Sequence, residues 1–172
     1  MKKVWILGGG IAGIEAAISL RQEGFAVTVV SNRDFLFIHP ISIWIPTGEK
    51  NFDDVCLPLS ELAAAHGFDY IVDDVINVRA SSNSFTLKNS GEIRYEYLII
   101  AVGGERLQHE GIENTYSICG RPDDSIKIKS KVEELIKIGG GKIAAGFAGN
   151  PIDVTAVRGE PAFEFIFNIH NM

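Results

Sequence analysis

The chain has 172 residues, 46% of them apolar and 22% charged, with a formal net charge of −6; it is long enough for one good hydrophobic core, short for two complete domains, and neither disordered nor low in complexity. The acidic balance and the lack of any Lys/Arg stripe exclude a nucleic-acid-binding surface. No apolar run reaches the roughly 18 to 20 residues of a bilayer span, and Lys2 and Lys3 lead into a glycine turn instead of a signal-peptide apolar region, so a cytoplasmic location is expected.

Val4 to Leu7 is a short apolar run closed by glycine, which predicts a fully buried parallel strand. From Ile11 to Gln22 the apolar residues Ile14, Ala17, Ile18 and Leu20 recur at near-helical spacing, and Gly24 stands where a helix stops. Phe25 to Val30 predicts a second buried strand and completes a strand–helix–strand unit in about thirty residues. Arg33 to Pro46, RDFLFIHPISIWIP, is aromatic and carries two prolines, which predicts an ordered loop. Leu57 to Ala65 is expected as a helix entered near Pro58 and closed by Gly67, with a strand at Tyr70 to Val72.

Val75 to Tyr97 reads as short strands joined by polar turns, with KNSGEI at Lys88 to Ile93 as a hairpin connection. Tyr95 to Gly104, YEYLIIAVGG, predicts a further buried strand running into glycines. After a loop that continues to Pro122, Ser125 to Ile138 is expected as a lysine-rich helix with its Ile and Val positions inward. Lys142 to Pro151 predicts a fresh strand ending in a glycine turn, and GEPAFEFIFNIHNM an apolar helix with neither cap nor breaker at its end.

Two cysteines, Cys56 and Cys119, and four scattered histidines, His39, His66, His109 and His170, show no metal-ligand spacing, so no metal site is expected. The chemistry concentrates instead at Gly8, Gly10 and Gly13, which form G-x-G-x-x-G directly after a strand and directly before a helix. In that context Gly8 permits a tight turn, Gly10 lets backbone approach a pyrophosphate, and Gly13 lets the helix pack against the strand. The pyrophosphate of a dinucleotide then rests on the positive end of the helix. FAD, NAD and NADP share this cradle. The end of the second strand, VTVVSNR, places Ser31 where an acid accepting ribose hydroxyls is normally found; Arg33 keeps NADP open and Asp34 offers a carboxylate from a shifted position.

The stretches VVSNRDFLFIHP, YEYLIIAVGG and YSICG, in that order and at these separations, resemble the N-terminal part of the sulfide:quinone oxidoreductases, relatives of the flavocytochrome c sulfide dehydrogenases and type II NADH dehydrogenases. Members of the sulfide branch similarly carry a serine in place of the ribose acid, followed by an aromatic loop ending in proline. The resemblance extends over essentially the whole chain and implies FAD as the cofactor. It implies that Gly8, Gly10, Ile11, Ala12 and Gly13 hold the pyrophosphate and that Ser31, Asn32 and Arg33 lie by the adenosine. It further implies Val75 beside the adenine, the loop around Pro40 toward the isoalloxazine, and Ala101, Val102 and Gly103 as a wall of the cofactor site. AVGG departs from the family's usual Ala-Thr-Gly, removing a threonine hydroxyl and leaving backbone contacts.

By the same resemblance Cys119 matches a cysteine that acts in catalysis or flavin attachment, as a thiolate of lowered pKa can. Where the family's second redox cysteine falls, this chain has Val157 and Arg158. Oxidation through a disulfide needs two thiols within bonding reach, so either one cysteine and the flavin suffice or the donor differs.

The expected fold is therefore α/β: a Rossmann-like FAD-binding domain with a parallel sheet over residues 1–138, including a small antiparallel β meander at about 75–97. Residues 139–172 are expected as the incomplete start of a second dinucleotide-binding domain in the N-terminal piece of a longer protein. The resemblance implies an FAD-dependent oxidoreductase passing electrons from reduced sulfur to a quinone, with membrane association only through segments that follow in the family. Two alternatives stand beside it. One is an NADH:quinone flavoprotein, for which GFAGNP at Gly146 to Pro151 lacks the full glycine spacing, and the other a catalytically silent nucleotide-binding fragment.

Overall fold

A computed structural model of the protein describes residues 2–104, 110–118, 121–146 and 160–172, with 160–162 as backbone alone. It contains two compact units. The first comprises Met1–Ile38 and Cys56–Glu105, the second His39–Val55 and Arg106–Met172.

The first unit is α/β. Strand β1 (Lys3–Leu7) leads through the glycine turn into helix α1 (Ile11–Gln22) and returns as β2 (Ala26–Ser31). Strands β3 (Phe35–Phe37) and β4 (Cys56–Pro58), helix α2 (Leu59–His66) and β5 (Asp69–Val72) follow. A meander, β6 (Val75–Arg79), β7 (Ser84–Leu87) and β8 (Gly91–Arg94), precedes β9 (Tyr97–Ile100). The main sheet has the order β5-β2-β1-β9 with parallel pairing throughout, in the registers Leu7↔Val30, Leu7↔Ile100 and Ser31↔Val72.

Both faces of this sheet are covered, which is why β1 and β2 read as unbroken apolar runs. On one face Val4, Ile6, Val27 and Val29 pack with Ile14 and Ala17 of α1 and Leu59 and Ala63 of α2. On the other, Trp5, Leu7 and Val30 meet Phe85 and Leu87 of the antiparallel meander, with Trp5 and Phe85 edge to face at 5.4 Å. Burying a side chain of this size is worth about 1.5–3 kcal/mol, so the two layers fix strand order and the position of the strand ends.

Three sequence expectations are corrected. Arg33 to Pro46 is not all loop: Phe35–Phe37 pairs antiparallel with Cys56–Pro58, and His39–Trp44 forms a 3-10 helix. The pairing partner lies about twenty residues downstream, out of reach of any local pattern, and an isolated two-stranded ribbon tolerates Pro58, which has no N–H to donate. Residues 142–146 form no strand; extended backbone becomes a strand only against a ladder partner, and none pairs with them among the described residues. The remainder of that expected strand and turn, 147–151, lies outside the described residues.

In the second unit, helix α3 (Pro122–Lys137) starts three residues before the predicted Ser125, because Pro122 takes the first helical position, where a missing N–H costs nothing. Ser125, Ile128 and Val132 form its buried stripe. Helix α4 (Glu160–His170) closes the described chain. No helix among the described residues is long and apolar enough to cross a membrane.

Candidate functional site

The carboxyl ends of β1, β2 and β9 meet at Gly8–Gly13. In the order β5-β2-β1-β9 the chain leaves β1 toward β2 on one side and reaches β9 on the other, so β1 lies at the topological switch point where open α/β sheets bind ligands. Gly8 has φ +118°, a conformation that disfavours any side chain, and a Cβ there would overlap the carbonyl of Ala101. The Gly8 N–H donates to the Val30 carbonyl at 2.8 Å and the Ala101 N–H to the Leu7 carbonyl at 2.7 Å, tying the turn to both neighbouring strands. A Cβ on Gly13 would overlap the Gly8 carbonyl, so α1 approaches the turn as closely as backbone allows.

Gly10 differs from both. It is the N-cap of α1, has extended backbone, and nothing among the described residues lies within 4 Å of the position a Cβ would take. No side chain caps the helix, and its first turn holds no acidic residue. The opening N–H groups of an α-helix have no intrahelical acceptor and carry the positive end of its dipole. At α1 they stand bare, beside the exposed side chains of Ile11 and Ala12 and open space over Gly10. That is the cradle a diphosphate fits.

The adenosine-side residues are also close to the turn. Ser31, only 4% exposed, ends β2, and a Cβ on Gly9 would lie 2.6 Å from its Oγ. Gly9, the variable position of the glycine motif, is thus forced by Ser31; sequence reasoning missed it, although three consecutive glycines were the visible signal. The Ser31 Oγ accepts the Arg33 N–H at 3.2 Å, which turns the chain and leaves the hydroxyl proton unused by that contact. Asn32 is exposed, and Arg33, stacked 5.5 Å above Phe35, has a buried Nε without a hydrogen-bond partner among the described residues. An unpartnered guanidinium nitrogen at this strand end suits an acceptor from a ligand.

Asp73 is a further residue that sequence reasoning passed over. Its N–H donates to the Ser31 carbonyl at 2.8 Å. Its buried carboxylate accepts the Asp74 N–H at 2.8 Å, the Asn89 side-chain amide at 3.0 Å and the Asn89 N–H at 3.2 Å. The Ser90 N–H at 2.9 Å and the Ser90 hydroxyl at 2.8 Å complete its partners. Burial alone pushes this carboxyl up, but the Ser90 hydroxyl and the Asn89, Ser90 and Asp74 amides outweigh it and hold the group below its ordinary value of 3.8. Val75, two residues on, opens β6 half-buried and pairs with Leu87.

Of the other predicted positions, Ala101 is half-buried and Val102 and Gly103 are exposed beyond the end of β9. Pro40 is exposed in the 3-10 helix His39–Trp44 of the second unit. Cys119, Val157 and Arg158 lie outside the described residues. Among the described residues no cluster of His, Cys, Asp and Glu is suited to a metal.

Residues 2–157 match the pyridine nucleotide-disulphide oxidoreductase family. The chain is 28% identical to the sulfide-quinone reductase of Aquifex aeolicus over 98% of its own length and 39% of that protein's. It is 26% identical to the mitochondrial external alternative NAD(P)H-ubiquinone oxidoreductase B4 of Arabidopsis thaliana, over 76% of this chain and 25% of that one. Among solved structures, the sulfide:quinone oxidoreductase of Aquifex aeolicus superposes with a TM-score of 0.81 at 26% identity, covering 99% of this chain and 39% of its own. The chain thus spans about two fifths of the length of its sulfide-quinone relative.

Proposed function

The chain belongs to the pyridine nucleotide-disulphide oxidoreductase family, and from that premise we propose that it is the FAD-binding portion of an oxidoreductase of the sulfide:quinone type. One observation carries the reading: the uncapped amino end of α1 opens onto free space at Gly10, while Gly8, Gly9 and Gly13 are each pressed against backbone or Ser31. Glycine at those three positions answers internal contact; at Gly10 it leaves room for something else. An anion fits the bare N–H groups, and membership of the family supports reading that anion as the diphosphate of FAD.

Gly10, Ile11, Ala12 and Gly13 bind the diphosphate through backbone N–H groups. Ser31, Asn32 and Arg33 take the adenosine ribose, with Val75 along the adenine. Ala101, Val102 and Gly103 line the cofactor from the end of β9, and the likeness to the sulfide-quinone relative supports the loop around Pro40 as the isoalloxazine-side segment. The flavin, when bound, accepts two electrons from a donor and releases them to an acceptor. Reduced sulfur as donor and a quinone as acceptor follow the likeness to the Aquifex protein, and Cys119 is the thiol of this chain that would meet the sulfur. Residues 1–138 form the FAD domain in this reading and 139–172 the beginning of a second dinucleotide-binding domain.

A second reading replaces reduced sulfur by NADH, favoured by the likeness to the Arabidopsis NAD(P)H-ubiquinone oxidoreductase. Anaerobic titration of the FAD-loaded protein decides between them. Bleaching of the flavin absorbance by sulfide, and not by NADH, is expected; bleaching by NADH alone installs the second reading. A chain that retains no FAD overturns both.

A further inference from the structure

Asp73 sits between the two residues assigned to the adenosine, Ser31 and Val75, and touches neither through its carboxylate. Its main chain joins both: its N–H holds the Ser31 carbonyl at 2.8 Å, and two residues later the chain enters β6 at Val75. The carboxylate reaches the other way, into the β7–β8 turn, where the Asn89 and Ser90 amides and side chains converge on it. The Lys88 N–H donates to the Asp74 carbonyl at 2.9 Å and Leu87 pairs with Val75, so the turn and the strand entry form one closed frame. A neutral side chain of the same shape could not accept this set: an amide offers one oxygen where these donors require two.

We propose that Asp73 is a positioning residue for the adenosine end of the nucleotide. By anchoring the meander turn with its carboxylate and the end of β2 with its N–H, it sets the Ser31 hydroxyl and Val75 at a fixed separation, as two sides of one adenosine pocket. The inference rests on the FAD reading above. It adds that a buried anion ties the end of β2 to the β7–β8 turn, and that ribose recognition depends on a residue that meets no part of the ligand.

The test uses the full chain and two probes, ADP and 2′-deoxy-ADP, with binding measured by calorimetry and folding by circular dichroism. One hydrogen bond to the missing hydroxyl gives the native chain about a fivefold preference for ADP. Asp73→Asn and, independently, Ser90→Ala are expected to bring that ratio close to one while the spectrum stays native. Ser31→Ala should do the same directly. Should Asp73→Asn not fold, Ser90→Ala carries the test alone, because it removes a single donor from the carboxylate. Variants that weaken both nucleotides equally and keep the ratio would show a merely structural role and overturn the proposal, as would a native chain indifferent to the 2′-hydroxyl. A native chain that binds neither ADP nor FAD overturns the FAD reading itself, and this inference with it.

Discussion

Helices α1 and α3 begin in opposite ways. At α3 the chain satisfies its own amino end: the Arg121 N–H donates to the Asp124 carboxylate at 3.1 Å, the Asp124 N–H to the Arg121 carbonyl at 3.0 Å, and Asp123 and Asp124 bring negative charge to the first turn. Lys127 then balances both acids, at 2.7 Å from Asp123 and 3.2 Å from Asp124. At α1 there is neither cap nor acid, and the N-cap is a glycine facing open space. A helix can meet the charge at its amino end with its own acid, as α3 does; at α1 the donors are left for water or for an anion from outside, which is the place the proposed diphosphate takes. The contrast also explains why no side chain between Gly8 and Gly13 carries charge.

The largest effect should come from the packing side of this contrast. Gly13→Ala places a methyl group into the Gly8 carbonyl, a backbone group with no freedom to move aside, and is expected to cost about 3 kcal/mol or more. Thermal or denaturant unfolding of the variant measures it, and a native-like midpoint would mean that α1 stands further from the turn than described.

Making α1 resemble α3 sharpens the comparison. Ala12→Asp adds an acid to the exposed first turn; it should weaken FAD binding about tenfold by repelling the diphosphate, while raising stability by about 0.3–1 kcal/mol. Opposite signs for binding and melting temperature are the signature; parallel loss of both would mean that Ala12 merely packs. The converse change at α3, Asp124→Ala, removes the cap and should cost about 1 kcal/mol with no effect on FAD affinity. A change in affinity there would break the assignment of the diphosphate to α1.

The smallest effect is acid sensitivity. The Asp73 carboxyl titrates below its ordinary value of 3.8 in the folded protein, so its charged form contributes stability that is present above about pH 3.8 and lost as pH falls through the lower folded value. Unfolding free energy measured between pH 5 and pH 3 should fall more steeply for the native protein than for Asp73→Asn. Equal slopes would show that the Asn89–Ser90 hydrogen bonds do not favour the anion.

What could be read in the sequence was what repeats or what is local. The apolar runs of β1 and β2, the helical period of α1 and the spacing of Gly8, Gly10 and Gly13 all act within about thirty residues, and all are found where the pattern put them. The meander was legible for the same reason, although the connection expected over Lys88 to Ile93 is shorter, Gly91–Arg94 already being strand paired with β7. The ribbon of Phe35–Phe37 with Cys56–Pro58 was not, since neither short segment is a strand without the other. Within the site, Ser31 was visible as a departure from the usual acid, yet the contact that makes Gly9 a glycine arises only when β2 lies beside the turn. Asp73 was hidden differently: in the sequence it is one of two adjacent acids between strands, and its partners Asn89 and Ser90 are a whole hairpin away.

The assignment of the FAD diphosphate to the bare end of α1 is tested most directly at Gly10, where the backbone is extended and an added Cβ comes within 4 Å of no atom of the described residues. FAD titrated into the native chain and into Gly10→Val, followed by quenching of flavin fluorescence, should give saturable one-to-one binding in the first. The second should bind ~100-fold or more weakly with an unchanged melting temperature. Equal FAD affinity in the two proteins, or a native chain that takes up NADP in preference to FAD, would contradict it.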